Sequence, residues 1–161
     1  MFGEIVDDCD NVDVQRVGGQ NVGVQNFEPR QSGPTKRMVL NAAGIVAHDC
    51  WMNIPHHFPN AVLHAFVVMP NHVHGIIELK DNPDSKKRNE FQKMIPRSIG
   101  SIVRGFKIGV TKWFRQQSYD DPVWERNYFE HIIRDGDAFQ TITYYINNNP
   151  QNWNDDKYRY E

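Results

Sequence analysis

The stretch "VLHAFVVMPNHVHGIIEL", residues 62–79, decides the reading of the fold. Two runs rich in β-branched and aromatic residues flank Met69-Pro70-Asn71, and a Pro-Asn pair set in apolar sequence is a turn signal. The stretch therefore predicts a β-hairpin or two consecutive sheet strands. Side chains alternate across a strand, so His72 and His74 project from one face while Val73 and Gly75 project from the other. Two imidazoles on one face can share a cation. The same pattern equally suits a pair of surface or hydrogen-bonded histidines.

Upstream, "MVLNAAGIVAHDCWMNIP" (38–55) begins with a short strand at Met38-Val39-Leu40. Asn41 can then cap a helix in which Ala42, Ile45, Val46, Asp49 and Cys50 recur at roughly helical spacing until Asn53 and Pro55 stop it. Downstream, residues 81–92 are polar and charged, as in a surface loop. Pro96 sits where the first turn of a helix tolerates proline. Behind it Ile99, Ile102, Val103, Phe106, Val110 and Trp113 or Phe114 form one apolar face. A further helix is expected from near Val123 through "WERNYFEHIIR", and Asp135 can cap another through "DAFQTITYYI", ended by Asn147-Asn148-Asn149-Pro150. This order of elements indicates an α+β domain, an antiparallel sheet with helices packed on one face.

Residues 1–35 read differently. They are rich in Asn, Gln, Val, Gly and Asp, and repeat N-V-x-V-Q at Asn11–Gln15 and Asn21–Gln25. A two-copy repeat this short is not a solenoid. The segment is expected to be an irregular, low-complexity stretch, followed by one globular domain over 36–153 and a polar tail at 154–161. A chain of 161 residues suits a single domain. Cys9 and Cys50 are too few and too far apart for a disulfide framework or a cysteine zinc site. With no apolar run approaching a membrane span and no signal-peptide pattern at the start, a cytoplasmic protein is the expectation.

The formal net charge of −2 conceals a segregated distribution. Residues 86–115 hold nine basic side chains and one acidic one, a balance of +8, whereas 1–35 and 120–161 carry −4 and −5. Arg97, Arg104, Lys107, Lys112 and Arg115 fall mostly off the apolar face of the central helix. They could neutralise nucleic-acid phosphates or form an ordinary solvated face. In "VWERNYFEHIIRD" (123–135), helical spacing would put Trp124, Tyr128 and His131 on one face, with Phe129, Ile132 and Ile133 filling the core beside it. Taken alone, Tyr128 and His131 also suit a core-edge phenol and its hydrogen-bonded partner.

Taken together, "FVVMPNHVHGII", "IPRSIGSIVRGFKIGVTKWF", "VWERNYFEHIIRD" and "YYINNNPQNW" resemble the REP-associated tyrosine transposases, a branch of the HUH single-strand endonucleases, over roughly residues 36–153. The resemblance implies a ferredoxin-like HUH nuclease fold, DNA transposition as the process, and single-stranded or hairpin DNA as the partner of a monomer or homodimer. It implies that His72 and His74 bind a divalent cation, Mg²⁺ or Mn²⁺, with His131 as candidate third ligand, and that Tyr128 is the nucleophile. Attack on a phosphodiester would leave a 5′-phosphotyrosine link and a free 3′-hydroxyl. A bis-histidine site should hold hard Mg²⁺ loosely and Mn²⁺ more readily. Both imidazoles and the phenol are then expected to converge on one ion. The chain starts at "MFGEIV", where the family begins with a strand of the type "YFVT" ahead of "LFGEI", so the resemblance also implies an absent strand beside His72 and His74. An impaired remnant that binds DNA without turnover is the alternative. A histidine-triad hydrolase ranks low, because Ile76 stands where a further histidine is needed.

Overall fold

In the computed structural model, residues 1–8, 35–80 and 98–155 are described. Strand β1 (Gly3–Asp8) pairs antiparallel with β2 (Thr35–Leu40), in a register running from Gly3↔Leu40 to Asp8↔Thr35. The start of the segment expected to be irregular over 1–35 is therefore a strand, and residues 9–34 of that segment lie outside the described residues. Gly3–Asp8 has too little apolar alternation to read as a strand by itself; its partner, far along the chain, supplies the ladder.

Asn41 caps helix α1 (Ala42–Met52), its side-chain oxygen accepting from Gly44 N–H at 3.0 Å. Asn53 ends α1, and Ile54–His57 form a single further turn, α2, with its proline in the first turn as such turns favour. The expected hairpin follows as β3 (Ala61–Val68) and β4 (Val73–Leu79), antiparallel, with a register irregularity between Leu63 and Phe66. Met69 N–H donates to His72 O at 2.8 Å across the turn. Ser98 caps α3 (Ile99–Gln116), which buries Ile102, Phe106 and Val110 as its spacing predicts, and Asp135 caps α4 (Gly136–Asn147). A 3₁₀ turn occupies Trp153–Asp155.

The fold is α+β, with two departures from the sequence reading. Among the described residues the strands form two separate two-stranded sheets, β1–β2 and β3–β4, not one. They are tied by Phe2 N–H donating to Pro70 O at 2.7 Å. Helices also cover both faces of β3–β4. Gly75 points at the Trp51 indole of α1, while His74, on the opposite face, meets Tyr145 of α4. The main core lies on the Gly75 face. There Trp51, 6% exposed, stacks on Phe66 with centroids 5.5 Å apart and meets Phe106 of α3 edge-on at 5.6 Å.

Residues 117–134 carry neither helix nor strand, which corrects the helix expected from Val123. Tertiary contacts override the local pattern. Trp124 is drawn into the core against Phe2 and Phe106, its indole N–H donating to Lys107 O at 3.2 Å. The carbonyls of Glu125 and Asn127, which a helix would use internally, accept from the Lys107 ammonium. Phe129 and Ile132, expected in the core, are 89% and 72% exposed. Pro96, Arg97, Cys9 and the expected loop at 81–92 lie outside the described residues. No helix among the described residues is long and apolar enough to cross a membrane.

Candidate functional site

The histidines are positioned by the hairpin turn. His74 is the second residue of β4 and His72 immediately precedes the strand, so both rings fall on the α4 face, 4.6 Å apart between centroids with planes at 77°. His72 Nδ1 lies 2.7 Å from Asn71 Oδ1. Donation of Nδ1–H to that amide oxygen leaves the lone pair on Nε2, the tautomer a metal-binding imidazole uses. The Nε2 atoms of both rings are buried. The Tyr145 ring packs edge-on to His74 at 5.5 Å and the Trp153 indole stacks beside His72 at 6.3 Å. Trp153 is brought there by Gln151, whose side chain accepts from Lys36 N–H at 2.8 Å and donates to Lys36 O at 2.7 Å. Farther along the same face His64 Nε2 meets Glu78 Oε2 at 2.9 Å.

The donor set fits two ligands of a divalent cation, with the remaining positions left to water or substrate oxygen. It does not assemble a third protein ligand. Among the described residues no three His, Cys, Asp or Glu side chains gather as a metal site would need. His131 is exposed on the 117–134 segment. Its proposed position one turn from Tyr128 depended on a helix that does not form.

The basic residues and Tyr128 meet elsewhere. Arg104, Lys107, Lys112 and Arg115 of α3, with Arg126 and Tyr128 from the following segment, line an open groove of about 840 Å³. No acidic side chain is among the residues lining it. From Gly100 to Arg115 this wall of α3 runs roughly 22 Å. The Tyr128 hydroxyl donates to Glu130 Oε2 at 3.2 Å, and a Cβ built at Gly100 would lie 3.6 Å from that hydroxyl. Burial against the groove wall, followed by the Glu130 carboxylate, raises the phenol above its usual pKa. Burial lowers the Lys107 ammonium, with Glu125 opposing.

Tyr128 and the histidine pair are thus on opposite sides of the hairpin. The phenol rests on the outer face of α3, whose inner face packs on α1 and Trp51; the imidazoles lie under α4. The expected convergence on one ion is not present in this arrangement, because Trp124 and Lys107 seat the tyrosine segment along α3. Sequence reading missed Arg126, which lay outside the basic run, and the packing roles of Tyr145 and Trp153, for which no local signal existed.

Over 130 residues the chain is 45% identical to a Haemophilus influenzae protein that bears the name "Uncharacterized protein", a match covering 76% of this chain and 72% of that one. The chain belongs to the same family as that protein. A second Haemophilus influenzae protein, named "Putative REP-associated tyrosine transposase", is 24% identical over 100 residues, 58% of this chain and 51% of its own length. The chain thus spans about half of that second relative. No family model and no solved structure matches.

Proposed function

We propose that this protein acts on DNA as a transposase-type nicking and joining enzyme with the HUH arrangement of parts, Tyr128 being the nucleophile. The observation that carries the reading is the opening of Tyr128 onto a groove with five cationic side chains and no acidic one. Such a wall suits the phosphates of a single strand, and those contacts position the strand without reading its bases. The distant likeness to the protein named as a transposase points the same way.

In the reaction, Tyr128 oxygen attacks phosphorus as its proton passes to the adjacent Glu130 carboxylate. The P–O3′ bond breaks, and the departing 3′-oxygen takes a proton from solvent. A 5′-phosphotyrosine link results, reversible by attack of another 3′-hydroxyl without a nucleotide cofactor. His72 and His74 would hold a divalent cation, which supplies charge neutralisation at a phosphate oxygen. For the phenol to reach that side of the hairpin, residues 117–134 must leave α3. His131, three residues beyond Tyr128, would travel with it and is the candidate third ligand of the assembled centre.

The test is incubation with labelled single-stranded hairpin DNA and Mn²⁺, followed by native electrophoresis for binding and denaturing electrophoresis for a covalent adduct. A covalent adduct present in the wild type and absent from Tyr128→Phe is the expected result. Binding without an adduct would leave a DNA-binding module with no turnover, and absence of binding would overturn the reading of the groove.

A further inference from the structure

Lys107 differs from the other cations of the groove. Arg104, Lys112 and Arg115 are exposed, but Lys107 is half-buried. Its ammonium donates to Glu125 O at 2.9 Å and to Asn127 O at 3.0 Å, and lies 5.9 Å from the centre of the Trp124 ring. Its own carbonyl accepts the Trp124 indole N–H at 3.2 Å. One residue of α3 therefore grips the same segment twice, through its backbone and through its side chain. The two carbonyls held by the ammonium flank Arg126, and the second immediately precedes Tyr128.

We infer that Lys107 is a positioning residue, which fastens the strand of chain carrying Arg126 and Tyr128 over the groove, and that it is not a phosphate ligand. This rests on the reading of Tyr128 as nucleophile. Two of the three ammonium donors are committed to carbonyls, and burial disfavours the free charge. A flexible lysine stem reaching two neutral acceptors makes a clasp that can be undone without separating an ion pair. Phosphate contact falls to the exposed Arg104, Lys112 and Arg115, together with Arg126.

The test compares Lys107→Met, which keeps the aliphatic stem, with Lys107→Arg, which restores donors, and with Lys112→Met. In the free protein, trypsin should cleave after Arg126 several-fold faster in Lys107→Met and at near wild-type rate in Lys107→Arg. In binding to a labelled single-stranded oligonucleotide, Lys112→Met should flatten the log–log salt dependence by about 0.7, the value for one lost phosphate contact, and Lys107→Met should leave the slope unchanged. Because residues 117–134 must leave α3 before the phenol can react, single-turnover adduct formation at saturating DNA should rise several-fold in Lys107→Met, with half-saturation unchanged and a return towards the wild-type rate in Lys107→Arg. A Lys107→Met slope flattened as much as that of Lys112→Met, or an unaltered cleavage rate after Arg126, would overturn the inference. Failure of the wild type to bind DNA or form an adduct would instead overturn the enzymatic reading, and the cleavage comparison would still decide whether the clasp exists.

Discussion

Gly75→Ala should be among the most damaging single-methyl additions in this protein. A Cβ built at Gly75 overlaps Cζ2 and Cη2 of Trp51 and lies 3.1 Å from Phe66 Cβ. The indole cannot easily retreat, since Phe66 stacks on it at 5.5 Å and Phe106 abuts it at 5.6 Å. Adding methylenes to a well-packed core typically costs about 1–3 kcal/mol, and a rigid neighbour on both sides puts this site near ~3 kcal/mol. For a domain of this size that corresponds to a fall in Tm of roughly 6–12 °C. Thermal and urea unfolding measure it. The decisive comparison is a double-mutant cycle with Trp51→Phe, whose smaller ring does not reach the overlapped position. On that background the added methyl should cost ~1 kcal/mol or less, a coupling of about 2 kcal/mol. Equal costs on the two backgrounds would refute the steric argument, and with it the assignment of Gly75 and His74 to opposite faces.

Because burial and Glu130 raise the Tyr128 phenol, Glu130→Gln should bring its ionisation to lower pH. The difference in tyrosinate absorbance between Glu130→Gln and Glu130→Gln/Tyr128→Phe reads this directly, and an unmoved titration contradicts it. The sign for stability follows from the same shift: a group raised on folding contributes below its unfolded pKa of ~10, and the contribution disappears as pH climbs through the folded value. Asp135→Ala removes the acceptor for Ala138 N–H at 2.8 Å and should cost about 1 kcal/mol, seen as a lower Tm with loss of helical signal. Mn²⁺ at a hundred times its dissociation constant should stabilise the wild type by ~2.7 kcal/mol. His72→Ala/His74→Ala should abolish that gain, and its persistence would remove the two imidazoles as ligands.

What could be read in advance was what the chain encodes locally. The hairpin around Pro70-Asn71 and the caps at Asn41 and Asp135 depend on residues within a few positions of one another, and each occurs where its signal lies. The apolar face of α3 is similarly self-contained. β1 was invisible because its ladder partner is β2, reached only after a long intervening stretch. The helix expected from Val123 failed for a complementary reason. Its periodicity was genuine, but Trp124 finds more burial against Phe2 and Phe106 than a surface helix would give it. Tyr128 was expected beside the histidines, with Arg104 and Lys107 on a separate helix face, whereas packing sets all three along one groove. Nothing in a linear pattern reports on which side of a sheet a segment without regular structure will settle.

The paired hydrogen bonds between Gln151 and Lys36 have a further effect on the β1–β2 sheet. A primary amide presents the same donor and acceptor as a peptide group. Gln151 therefore occupies the outward-facing N–H and C=O of Lys36 much as an added strand would. An extended segment approaching that rim from another molecule finds the two groups already engaged, so the sheet is protected against edge-to-edge growth at that point by a single side chain.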